Sequence, residues 1–310
     1  MKNLFKITSL QILTTLLVMP PAYGMEWWLS RLGIAGSPSP HAAPTRDFDR
    51  ELHDAADKKD WSTLRALLDE GANPNISHSL GRSDVTLLTY VARLGDACTI
   101  SALLKAGANP NPRPSGKVDT FDYPLLWAAK SNSEEAVMAL LDGGTDPCAK
   151  NGWGYTPLHA AARRQPGNKE DTFADEEAII LELIGRGNIP DETDEHGKTA
   201  LHQAAWSGNV TAAKTLLTQG ANPDAVDSTG QTALGHAVYN APNAIKVTET
   251  LLEYDANPLA GERTALERAW DQLHYSITHR GSDLEERRTI VNALQAAIEY
   301  PEQPWQSVRW

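Results

Sequence analysis

Residues 156–162 read TPLHAAA and residues 199–205 read TALHQAA. The same frame returns as TALGHAV at 232–238, TALERAW at 264–270, TLLTYVA at 86–92 and YPLLWAA at 123–129, with a weaker RELHDAA at 50–56. The third residues of these strings are Leu52, Leu88, Leu125, Leu158, Leu201, Leu234 and Leu266, at spacings of 36, 37, 33, 43, 33 and 32. A fixed period of this size marks a chain that grows by stacking one supersecondary unit on the next.

A second string follows in each period: LLDEGANPN from Leu67, LLKAGANPN from Leu103, LLDGGTDPC from Leu140, LIGRGNIPD from Leu183, LLTQGANPD from Leu216 and LLEYDANPL from Leu251. Each reads as the end of a helix. The Leu pair supplies the apolar face, a Gly suits the left-handed position just past the helix, and Pro blocks continuation. Asp255 stands where the other copies have Gly71, Gly107, Gly144, Gly187 and Gly220, and Asp is among the few residues that tolerate that conformation. Short breaks such as SGNVT at 207–211 and LGDAC at 94–98 separate the two strings, so each period is two helices joined by a tight turn.

On these strings the chain resembles the ankyrin-repeat family, whose period is about 33 with a T-P-L-H-x-A signature. The resemblance spans about residues 46–299 and implies an all-α solenoid of about seven helix-turn-helix repeats with β-turn fingers. It also implies that Thr156 and Thr199 open inner helices with His159 and His202 bonding back to them, and that Asn151-Gly152-Trp153-Gly154, Asp194-Glu195-His196-Gly197 and Asp227-Ser228-Thr229-Gly230 are finger turns. Acidic or amide residues first and Gly fourth suit such turns. The finger before Thr86 lacks a regular Gly, and the one before Tyr123 is long and Pro-rich from Pro110 to Phe121. The spacing of 43 contains an insertion, Gln165 to Glu177, expected as an exposed polar loop. Polar caps are expected at Asp57 to Asp60 and on the last helix, Asp283 to Tyr300, because an end repeat lacks one neighbour.

Outside the repeats, Lys2 and Lys6 precede an apolar run from Ile7 to Met19, and small residues lead to Gly24. This pattern predicts a signal peptide over 1–24 and export, with the periplasm as the expected compartment. Residues 25–45 read as a short apolar segment, Glu26 to Ile34, and a Pro/Ser/Ala linker, and 301–310 form a tail with Trp305 and Trp310. The apolar segment has no basic face, so membrane contact is not expected. The 310 residues carry 28 Lys plus Arg against 40 Asp plus Glu, and loss of the two leader lysines moves the net charge from −12 to −14. Such a surface repels nucleic acid and favours a basic partner. Cys98 and Cys148 are expected to stay unpaired, because the register sets them at opposite helix ends beyond the roughly 7 Å Cα limit of a disulfide.

No GxSxG, HExxH, CxxC or Walker-type string is present, and no cofactor, metal or catalytic residue is predicted. His53, His159 and His202 share one register position, so successive copies should lie about 10 Å apart, whereas zinc ligands sit about 2 Å from the ion. The repeats imply a monomeric protein-binding module, either an immunity or inhibitor protein or an envelope scaffold; the alternative is a hydrolase carried on the solenoid. The family's concave face gives the candidate site. It comprises Trp153 and Tyr155 from the fourth finger, Glu195, His196 and Lys198 from the fifth, and Arg163, Arg164, Trp206 and Tyr239 from inner-helix ends, with Arg93 and Lys130 at the matching positions of earlier repeats. Aromatics and Arg are the types enriched at binding hot spots, and this patch would accept an acidic or aromatic segment. Trp127, directly before Ala128, is expected in the core.

Overall fold

The computed structural model describes residues 47–80, 83–112, 123–163, 173–240, 243–279 and 283–299. The expected signal peptide, the segment 25–45, the tail 301–310, Arg164 and the centre of the Pro-rich finger lie outside these residues. Within them the chain forms seven helix pairs: α1 (Phe48–Asp57) with α2 (Trp61–Asp69), α3 (Leu87–Leu94) with α4 (Ala97–Lys105), α5 (Pro124–Ser131) with α6 (Glu134–Asp142), α7 (Pro157–Ala162) with α8 (Phe173–Gly185), α9 (Ala200–Ser207) with α10 (Val210–Thr218), α11 (Ala233–Asn240) with α12 (Ala244–Glu253), and α13 (Ala265–Thr278) with α14 (Leu284–Glu299). The odd helices from α3 to α13 pack in succession as an inner layer, and the even ones from α2 to α14 as an outer layer.

Local chemistry sets these boundaries. Thr156, Thr199 and Thr264 head inner helices in capping boxes closed by His159, His202 and Glu267, which satisfies N–H groups that a first helical turn leaves free. The tight turns are stopped by Asp60, Asp96, Ser133 and Asn209, each accepting from a backbone N–H of the following outer helix. At the outer-helix ends Gly71, Gly107, Gly144, Gly187 and Gly220 have positive φ, and Asp255 joins them at 61°. A side chain fits there because nothing lies within 4 Å of a Cβ placed on those glycines.

One core runs through all seven pairs. Leu52, Leu88, Leu125, Leu158, Leu201 and Leu234 are 0–1% exposed, so the residue that sets the sequence period also fills the space between layers. Fully burying each such side chain is worth about 1.5–3 kcal/mol. Small residues beside them, Ala161, Ala162, Ala204 and Ala205, are also buried and let neighbouring repeats approach closely.

One expectation about the fold, that of the insertion, needs correction, and two other regions add detail. The finger before Thr86 is a regular antiparallel hairpin, β1 (Ser77–Leu80) with β2 (Ser83–Thr86), in which His78 pairs with Val85. The insertion is not loop throughout: α8 begins at Phe173, and Glu176 is buried with its carboxylate accepting from the Asn209 side-chain amide. In the last repeat the inner helix α13 exposes Trp270, Tyr275 and Ile277 by 47, 60 and 57%. Trp270 stands in the register position of Ala162 and Ala205, which face a following repeat, and no further pair follows among the described residues. Cys98 and Cys148 are both free and exposed.

Candidate protein-recognition groove

The inner-helix ends and the fingers form the walls of a groove. The three fingers beside the groove are each built by an Asx turn in which one side-chain oxygen binds two backbone N–H groups. Asn151 accepts from Trp153 and Tyr155 at 3.0 and 3.0 Å, Asp194 from His196 and Lys198 at 2.8 and 2.9 Å, and Asp227 from Thr229 and Gln231 at 2.8 and 3.1 Å. Successive fingers are tied edge to edge: the N–H of Glu195 donates to the Trp153 carbonyl, that of Ser228 to His196 and that of Glu262 to Gly230, all at 2.9 Å. Gly197 permits this approach, because a Cβ there would lie 2.8 Å from the Ser228 nitrogen.

The capping histidines also reach forward. His159 takes the Thr156 hydroxyl on Nδ1 at 2.7 Å, and its Nε2–H donates to the Lys198 carbonyl of the next finger at 2.8 Å. His202 repeats this with Thr199 at 2.9 Å and the Gln231 carbonyl at 3.0 Å. Burial lowers the pKa of both, although the accepting carbonyl works the other way. In the sixth repeat Gly235 replaces the capping His, and His236, one residue on, donates instead to Asp227 of its own finger at 2.8 Å. Burial pushes His236 down to about 4. For Asp227 burial acts upward, but hydrogen bonds from Thr229, His236 and Gln231 outweigh it and hold the carboxyl well below its ordinary range. Both Asp227 oxygens are therefore occupied in holding the finger, and the pair is structural.

Two adjoining hollows line the groove. One, of about 590 Å3, is walled by His196, Lys198, Trp206, His236, Tyr239 and Arg268; the other, of about 240 Å3, by Trp127, Lys130, Trp153, Tyr155, Arg163 and His196. Trp206 and Tyr239 are each 47% exposed. Lys198 Nζ sits 5.8 Å from the Trp206 ring centre, and the His236 ring meets that indole edge-on at 5.8 Å. Trp127 lies beneath two cations, with Arg93 5.1 Å and Lys130 4.7 Å from its ring centre, within reach for cation–π attraction. Burial lowers the Lys130 pKa, and the like charges of Arg163 and Arg93 add to the shift.

The structure thus brings seven of the predicted residues together: Trp153, Tyr155, Arg163, His196, Lys198, Trp206 and Tyr239. Glu195 is exposed but lines neither hollow, and Arg164 lies outside the described residues. Tyr155 is half-buried, donates its hydroxyl to the His159 carbonyl at 3.0 Å and is pushed up to about 12 by burial, so it forms wall rather than a free anchor. The core assignment of Trp127 is overturned, since its ring is half-buried on the groove side. The spacing to Lys130 carried that information, because residues three apart share a helix face. Arg268 was also missed, although it stands five residues into its string as Trp127 and His236 do in theirs. Among the described residues no group of three or more His, Cys, Asp or Glu could hold a metal ion.

The family "Ankyrin repeats (3 copies)" matches residues 52–151, 88–174 and 172–262, more than half of the chain. The chain belongs to the ankyrin-repeat family. It is similar to human neurogenic locus notch homolog protein 2, 32% identical over an alignment of 126 residues, with 33% of this chain and 5% of that protein covered. Human transient receptor potential cation channel subfamily A member 1 is 26% identical over 184 residues, 55% of this chain and 14% of the channel. The chain therefore spans only a small part of these curated relatives. Among solved structures, the human ASB11 ankyrin repeat domain superposes with a TM-score of 0.57 at 24% identity, covering 70% of this chain and 90% of that one; this likeness bears on the fold alone. Ankyrin repeats are protein–protein interaction modules, generally without catalysis.

Proposed function

We propose that this ankyrin-repeat chain is exported to the periplasm, where it binds one protein partner in the groove as an immunity or inhibitor protein or as an envelope scaffold. The observation that carries the binding reading is the pair Trp206 and Tyr239, each 47% exposed at inner-helix ends that share a hollow with fingers tied by hydrogen bonds. Exposed aromatics on a fixed, concave surface are what a partner buries with least loss of side-chain freedom. Export is supported by the basic start, the apolar run Ile7 to Met19 and the small residues before Gly24. Among the described residues no helix is long and apolar enough to cross a membrane.

The test is affinity capture from the periplasmic fraction with the tagged chain, its Trp206→Ala variant and its Arg163→Ala variant. One stoichiometric protein is expected, bound at least tenfold more weakly by Trp206→Ala, the loss that removing a hot spot of about 2 kcal/mol produces. Melting temperatures should stay within about 2 °C of the parent, since neither side chain belongs to the core. A partner held equally well by both variants would place recognition off the groove, and the absence of the chain from the periplasmic fraction would overturn export.

A further inference from the structure

One register position of the inner helices carries a pattern that the repeat signature does not require. Counting the N-cap residue as the first, the eighth residues along the seven strings are Asp57, Arg93, Lys130, Arg163, Trp206, Tyr239 and Asp271. Three cations stand in consecutive repeats, two aromatics follow, and an acid lies at each end. Equivalent residues of packed helices are about 10 Å apart, so the cations span about 20 Å and the row from Arg93 to Tyr239 about 40 Å. At about 3.3 Å per residue, roughly twelve residues of extended chain cover that length.

Among the described residues the three cations also carry no carboxylate partner, as is true of Lys198 and Arg268 in the larger hollow. Arg65, Lys150, Arg186, Arg263 and Arg287 each meet a carboxylate, those of Asp96, Glu192, Glu182, Asp271 and Asp283 respectively. Among the described residues Arg93, Lys130 and Arg163 meet none, in a chain whose net charge is −12. Arg93 and Lys130 meet the Trp127 ring, Lys130 and Arg163 line the smaller hollow, and Lys130 feels the like charges of both neighbours, so a bound anion would relieve them. The aromatic part of the row opens on the larger hollow.

We infer that the groove reads a bipartite peptide: an extended segment with acidic side chains over Arg93, Lys130 and Arg163, continuous with a bulky apolar residue held between Trp206 and Tyr239. The proposal rests on the groove reading above and adds the chemistry of the partner. Charge complementarity and ring contact divide the work, so the acidic part sets register and salt dependence while the apolar part anchors. The row ends in acids, Asp57 at one end and Asp271, paired to Arg263, at the other.

A random dodecamer peptide library displayed on phage and panned against the full chain tests this. At about 50 mM salt the selected peptides should be enriched in Asp and Glu next to Trp, Phe, Tyr or Leu, and the acidic preference should weaken at about 500 mM, where screening lengths are a few ångströms. In the variant carrying Arg93→Glu, Lys130→Glu and Arg163→Glu the preference should reverse to Lys and Arg, with binding of the original peptides reduced at least tenfold. The milder Gln triple variant should abolish the preference without reversing it. In Trp206→Ala with Tyr239→Ala the acidic preference should persist and the apolar one vanish. Selected peptides without acids, a preference unchanged by charge reversal, or no groove-dependent peptide at all would overturn the proposal. So would a concentration-dependent dimer abolished by charge reversal, which would make a second copy of this acid-rich chain the occupant. If Trp206→Ala still releases the captured partner while the peptides show no acidic preference, the groove reading stands and the bipartite one falls.

Discussion

The first three repeats and the last four solve the same problem, holding one repeat to the next, in different places. Toward the N-terminus the tie runs through the loops after the outer helices. Asn75 donates its side-chain N–H to the Gly107 carbonyl at 3.0 Å and accepts from the Asn109 N–H at 2.8 Å; Asn111 repeats this with Gly144 and Asp146 at 3.1 and 2.8 Å. Toward the C-terminus acids occupy that loop position, and Asp191 and Asp224 make only the accepting bond, to Asn222 and Asn257. There the additional ties are the finger ladder and the histidine bridges, a few residues further along the chain. Moving the tie to the finger edge fixes the walls of the larger hollow, which is where a recognition surface gains from rigidity.

The largest effect is expected where both solutions depend on the common core. Leu201 is fully buried on α9 between the fourth and sixth repeats, so Leu201→Ala should lower stability by about 2–5 kcal/mol. Because repeats are stabilised by their neighbours, hydrogen exchange should accelerate in α7 and α11 as well as in α9. Acceleration confined to α9 would show that the fingers alone couple these repeats.

How much of this was legible in the strings follows from what sets each feature. The helix pairs, the left-handed residues including Asp255, and the histidine caps are local or strictly periodic, so one copy predicts the next. The hairpin at Ser77–Thr86 was partly legible, since Gly81-Arg82 reads in the sequence as a two-residue loop of hairpin type between SHSL and SDVT, but SHSL has no apolar alternation to mark it as a strand. The early start of α8 depends on Glu176 finding Asn209, 33 residues away, which no local pattern encodes. Trp127 was misread from its alanine neighbour, when its face was set by Lys130 three residues on.

An intermediate effect should come from acid. His159, His202 and His236 are all held neutral by burial, with pKa below the ordinary 6.5. The unfolded chain therefore takes up protons that the folded chain refuses, so their contribution is complete above about pH 6.5 and shrinks as pH falls toward the folded values. For His236, lowered to about 4, the loss amounts to about 2–3 kcal/mol by pH 4. Asp227 adds a second loss only at lower pH, because its pKa is lowered and its share disappears as its carboxyl protonates. Thermal melts between pH 7 and 4 should show a fall of about 5–10 °C from His236 alone. His202→Ala should cost about 1–3 kcal/mol at pH 7 through the unpaired Gln231 carbonyl and should flatten part of the acid slope. An unchanged slope would show that the bridges do not couple to folding.

The smallest effect tests the loop ties themselves. Asn111 is exposed, so each of its two bonds should contribute at the low end of the usual 0.5–1.5 kcal/mol. Asn111→Ala removes both and should cost about 1 kcal/mol. Asn111→Asp keeps the acceptor for the Asp146 N–H and loses the donor to the Gly144 carbonyl, which reproduces at this junction the single bond that Asp191 makes; it should cost about half as much. The reverse change, Asp191→Asn, supplies a donor at the equivalent loop near Gly220 and should stabilise by about 0.5 kcal/mol. Urea midpoints measured on all three variants at one salt concentration separate the ideas. If Asn111→Asp costs as much as Asn111→Ala, the donated bond to Gly144 holds the N-terminal repeats. If Asp191→Asn is neutral, the finger ladder already fixes that junction, and the second bond was dispensable there because the tie had moved to the groove edge.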